Sequence, residues 1–196
     1  MSERWSLAQY RAYLASGGTV VPTSNETTQS PPAPAELSEH DEQVRFFAAL
    51  EVIADLHPDL GEELEDVYAT ASGGLRHKGA GGRLKESGVK KGVPDIEAWI
   101  VRGGYHGLVI EMKRERSGRA SPEQAARMRR LRARGYVAEI CHGWTAALLV
   151  LCSYVGVGAP ASINSDVDRV LASRCARRKV ARSTRRRLRR RSATHA

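Results

Sequence analysis

Two β-rich runs with only five residues between them, DIEAWIV (95–101) and GLVIEMK (107–113), commit the middle of this chain to an antiparallel hairpin. Their connection, RGGYH, contains paired glycines that can take the positive φ angles of a tight turn. Beyond it, Ser121-Pro122-Glu123-Gln124 offers an N-cap, a proline at the first helical position and a capping-box glutamine, and Gly135 supplies a stop, which predicts a helix over 122–134. A short strand, Tyr136 to Cys141, and an apolar helix from about Trp144 to Tyr154 should follow. Upstream, Val44, Phe47, Ala48, Leu50 and Val52 or Ile53 recur at helical spacing from Ser38 to about Asp55. The order α-β-β-α-β-α predicts an α/β fold in which a small mixed sheet is flanked by helices.

The rest of the 196 residues divides around that core. SLAQYRAYLASGG predicts a short helix within 1–17, and the Pro-, Ser- and Thr-rich stretch that follows reads as a flexible linker over 18–37. The main domain is expected at 38–156, with an Arg-rich, disordered tail at 157–196. The formal charge of +9 sits in that tail: from Arg174 onward there are 11 Lys and Arg and no acid, leaving 20 basic against 22 acidic residues before it. The run RRRLRRR (185–191) would attract any polyanion without reading its sequence, or serve as a solubilising end. The longest apolar run, Ala146 to Cys152, is too short to span a bilayer, and no signal segment opens the chain. Three cysteines without CxxC spacing suggest neither a disulfide framework nor a zinc site, so a reducing, cytoplasmic setting is expected.

Residues two apart in a strand share a face, so Glu111 and Lys113 should project together. With the turn centred near Gly104, Asp95 lies opposite Lys113, and three charged groups converge; a slip of one residue would send Asp95 to the other face. Two close carboxylates repel unless a divalent cation sits between them, and Mg²⁺ needs only one or two protein carboxylates. The cation would activate a water and screen a phosphate, with Lys113 orienting the water or stabilising developing charge, which points to phosphodiester hydrolysis. A carboxylate and a lysine two apart on an edge strand also make an ordinary solvated face. The preceding Gly-rich stretch, Ser72 to Gly92, holds seven glycines together with Arg76, Lys78, Arg83, Lys85, Lys90 and Lys91, a mobile basic loop suited to gripping phosphates. It lacks GxxxxGK[ST], so no nucleotide cofactor is implied, and the six histidines show no paired metal spacing.

GVPDI (92–96), IEMK (110–113), SPEQ (121–124) and RGY (134–136), taken in this order, resemble the VRR-NUC family, a branch of the PD-(D/E)xK nucleases. The resemblance covers about residues 38–155 and implies a restriction-endonuclease-like core, Mg²⁺ or Mn²⁺ dependence, and cleavage of branched or structured DNA in repair, recombination or phage DNA metabolism. Stand-alone members of this size are often phage or prophage proteins similar to homodimeric junction-resolving enzymes, which implies a cytoplasmic homodimer in a bacterial or phage-infected cell. By the same resemblance Asp95 and Glu111 would be metal ligands, Lys113 the catalytic lysine, Gln124 the helix glutamine beside the site, and Glu42 the acidic residue of the first helix, with Glu39 competing for that role. Gln124 also has its capping role, Glu42 that of a first-turn acid, and Glu97 should share the face of Asp95. Two other readings stand beside the nuclease. One is a non-catalytic nucleic-acid-binding module working through the Arg-rich tail; the other is a restriction-type enzyme, which would need a groove-reading element that the sequence does not display.

Overall fold

A computed structural model of the protein describes residues 35–70, 86, 88 and 90–193. The expected N-terminal helix and most of the linker, and the loop residues Arg76, Lys78, Arg83 and Lys85, lie outside the described residues. Among the described residues ten elements follow in order: α1 (Glu39–Leu56), a 3-10 turn (Pro58–Leu60), α2 (Gly61–Glu65), β1 (Val67–Ala69), β2 (Ile96–Ala98), β3 (Leu108–Lys113), α3 (Pro122–Ala133), β4 (Val137–His142), α4 (Trp144–Val155) and α5 (Ile163–Ala193). The four strands form one mixed sheet in the order β1-β2-β3-β4, antiparallel except for the β3/β4 pair. The fold is α/β, a small mixed sheet flanked by helices.

β3 is a central strand, not the edge strand that would make Glu111 and Lys113 an ordinary solvated pair, and all six of its residues are buried. Leu108, Ile110 and Met112 face the main core with Phe46, Ile53 and Leu148 from α1 and α4. On the other face Val109 packs with Met128 of α3 and Ala138 of β4. Ser121 caps α3 as anticipated, with both halves of the capping box formed.

The hairpin forms with a different register. Gly103 and Gly104 both carry positive φ at its tip, between Arg102 and Tyr105. The ladder pairs Ile96 with Ile110 and Ala98 with Leu108, so three residues on the first arm face two on the second between Ala98 and the tip. With the tip centred between Gly103 and Gly104, not on Gly104, the pairing moves by one position, and the extra residue moves it by one more, which sets Asp95 level with Glu111, not Lys113. A shift of two positions preserves the face, which is why the charged groups still meet.

The helical face of α1 also differs from the expectation. Ala48, Leu50 and Ile53 enter the core as expected, joined by Phe46 and Ala49, while Val44 and Phe47 are only partly covered because they line an open cleft, and α1 also packs against α5. The expected disordered tail is replaced by that 31-residue helix. Ile163 and Val167 are buried, and Val170 and Leu171 pack against the core, an apolar stripe at helical spacing that anchors what the charge run alone had suggested was loose. Among the described residues no helix is long and apolar enough to cross a membrane.

Candidate active site

Asp95, Glu111 and Lys113 converge just before β2 begins, where β3 runs on beneath α3. Lys113 Nζ donates to Glu111 Oε1 at 2.7 Å and to the Met112 carbonyl at 2.9 Å, and it lies 3.5 Å from Glu39 Oε1. Asp95 Oδ2 accepts the Met112 amide at 2.9 Å. The Asp95 main chain is pinned as well: its carbonyl accepts the Thr70 amide at 2.9 Å, and the Thr70 hydroxyl donates to the Pro94 carbonyl.

Burial sets the electrostatics. Glu111 is fully buried, and removal from water pushes its carboxyl up to about 7, with the Asp95 charge adding to the rise and Lys113 opposing it. Burial likewise raises Asp95, against the Met112 hydrogen bond. For Lys113 burial works against the ammonium, but the Glu111 contact and the surrounding acids outweigh it and hold the pKa above the ordinary value. Glu111 Oε2 is buried with no donor, and the Asp95 carboxyl lies against the same group, an expensive arrangement for two carboxylates.

Gln124 performs both roles considered for it. Its side-chain oxygen accepts the Ser121 amide at 2.7 Å, and its Nε2 donates to Glu111 Oε1, so the cap of α3 doubles as a contact to the site. Glu42 is placed elsewhere. It is buried, but its Oε2 accepts the Trp144 amide at 2.8 Å, and among the described residues no hydrogen bond or ion pair joins it to Asp95, Glu111 or Lys113. The first-helix acid beside the trio is Glu39. Glu97 accepts a hydrogen bond from the Tyr68 hydroxyl at 3.1 Å, away from the trio. Lys90 and Lys91 are exposed.

A cleft of about 500 Å³ opens beside Asp95, lined by Glu39, His40 and Gln43 of α1, Thr70 after β1, and Arg174 of α5. Gln43, Thr70 and Arg174 were missed from the sequence. Gln43 carried a usable signal, since it stands one helical turn after Glu39; Thr70 and Arg174 carried none, being brought in by pairing and packing.

The model of the VRR-NUC domain family matches residues 55–145, a span that contains all four motifs and the whole trio. Over residues 55–145 the chain is similar to the VRR-NUC domain. A solved structure of a VRR_NUC domain protein is 25% identical, with 62% of this chain and 91% of that one covered and a TM-score of 0.48. No curated protein matches the chain. VRR-NUC is a nuclease-type family, and the trio within the matched residues has donor chemistry suited to a hard divalent cation. Among the described residues no three His, Cys, Asp or Glu side chains are grouped to hold a metal. Mg²⁺ does not require three, however: two carboxylates with water and a substrate phosphate suffice, and the orphaned Glu111 Oε2 beside Asp95 is the oxygen such an ion would satisfy.

Proposed function

We propose that this protein is a divalent-metal-dependent DNA endonuclease that hydrolyses phosphodiester bonds, with branched or structured DNA as substrate, in repair, recombination or phage DNA metabolism. The observation that carries the reading is the convergence of Asp95, Glu111 and Lys113 around an unsatisfied, buried Glu111 oxygen. Asp95 and Glu111 would hold Mg²⁺ or Mn²⁺. When bound, such an ion lowers the pKa of a coordinated water and screens the charge of a phosphate. Gln124 and Lys113 fix the Glu111 carboxylate by hydrogen bonds to Oε1, leaving Oε2 for the ion. Lys113, kept charged by its acidic neighbours, orients the attacking water or stabilises negative charge on the phosphate as the bond breaks. Lys90 and Lys91, together with the basic residues of the loop before them, would grip backbone phosphates and position the substrate without reading it.

A homodimer in the cytoplasm completes the proposal: a small domain has little surface for a four-way junction, and two copies related by symmetry would share one. The three free cysteines suit a reducing compartment. The test is cleavage of labelled four-way junction, flap, single-stranded and duplex DNA with Mg²⁺, Mn²⁺ or EDTA, comparing the native protein with Asp95→Ala. Metal-dependent cutting that disappears in the variant is expected. Tight binding with no cutting of any substrate would leave a non-catalytic binding module.

A further inference from the structure

α5 leaves the protein body as it becomes basic. Its first half is seated on α1, with Arg45 paired to Asp168 at 2.9 Å and Glu51 to Arg174. Both partners lie six residues further on in their own helices, so α5 runs in the same direction as α1. Glu39, at the start of α1, stands beside Lys113. Arg174 lines the same cleft as Asp95 and Glu39. From Ala172 onward the described residues of α5 are exposed apart from Arg174, Val180 is 66% exposed, and the helix continues to Ala193. The sequence over that stretch carries the 11 basic residues and no acid.

A helix that carries only like charges works against itself, since repulsion between turns destabilises it, and its exposed residues among the described ones bring little apolar burial to offset the loss. A polyanion would remove the repulsion. We propose that the projecting half of α5 is a rigid rail that holds a double-stranded arm of the DNA substrate along its phosphates, at a distance from the scissile bond. This rests on the nuclease reading for the position of that bond. At 1.5 Å per residue, Glu39 to Glu51 spans about 18 Å and Arg174 to Ala193 about 29 Å more, so the rail reaches about 47 Å from the trio. At 3.4 Å per base pair, that is about 14 base pairs of duplex.

The experiment measures affinity of the full chain carrying Asp95→Asn, which isolates binding, for DNAs whose duplex arm grows from about 5 to about 20 base pairs. The dissociation constant is expected to fall until the arm reaches about 14 base pairs and then level off. Combining Arg177→Gln, Arg178→Gln, Lys179→Gln and Arg182→Gln should flatten that dependence and lower the log–log salt slope by about 3.6. Val180→Pro keeps every charge but breaks the helix, and should shorten the arm length at which affinity levels. Native affinity that ignores arm length overturns the rail, as does a Val180→Pro profile identical to the native one. DNA affinity untouched by the four glutamines would overturn it too, pointing to another polyanion such as an acidic protein. Cleavage by the native chain on a short substrate is scored separately: its absence with arm dependence intact sinks the nuclease reading, and its presence without arm dependence sinks only the rail.

Discussion

Glu42 Oε2 accepts the backbone amide of Trp144 at 2.8 Å across 102 positions of sequence. Gly143, at the N-cap of α4, has no side chain to satisfy the first amides of that helix, and Glu42 supplies the missing acceptor from α1. Glu42→Ala should therefore lower stability by about 2 kcal/mol. Glu42→Gln, which keeps an acceptor oxygen, should melt close to the native protein and retain cleavage. A Glu42→Gln variant that folds normally yet cannot cut would put Glu42 back among the metal ligands.

Gln124 allows its two roles to be separated. Glutamate at the same position still caps Ser121 but cannot donate to Glu111 and adds a like charge beside it. Gln124→Glu should keep most of the thermal stability while cleavage falls by about two orders of magnitude. Gln124→Ala should lose both, with about 1 kcal/mol from the cap. Full activity in Gln124→Glu would reduce the residue to a cap.

Lys113→Ala is expected to lower the cleavage rate by two to three orders of magnitude, roughly the cost of losing one transition-state donor, with DNA affinity almost unchanged. Single-turnover kinetics and a binding isotherm on the same substrate measure the two separately. Equal cleavage rates would remove Lys113 from the chemistry.

Stability in chelator should fall as pH rises. Folded Glu111 titrates near 7 against an ordinary 4.5, chiefly because it is buried, so above 4.5 the folded chain holds a proton that the unfolded chain has released. Unfolding free energy should decline from about pH 4.5 to about pH 7, by on the order of 3 kcal/mol from this group, and the raised Asp95 and Glu42 act in the same direction. Glu111→Gln should remove most of that slope. Stability that climbs across the window would contradict the burial seen here. Saturating Mg²⁺ should raise the melting temperature of the native chain and leave Glu111→Gln unmoved.

The sequence by itself determined the local elements and the pairing of face with charge. Turn glycines, a capping box and period-two alternation act over a few residues, so the hairpin, the helix after Ser121 and the shared face of Glu111 and Lys113 could all be read directly. Tertiary structure decided what depends on distant neighbours. The position of the hairpin tip and the extra residue before it together moved Asp95 from Lys113 to Glu111, because register is set by how whole strands pack. Whether Glu39 or Glu42 attends the site depended on which of them meets the amide of Trp144, and nothing within either residue's own turn reports that. The same holds for the last helix: its arginines are plain in the sequence, but only the seating of Ile163 and Val167 against the core turns a charged tail into a helix with a direction.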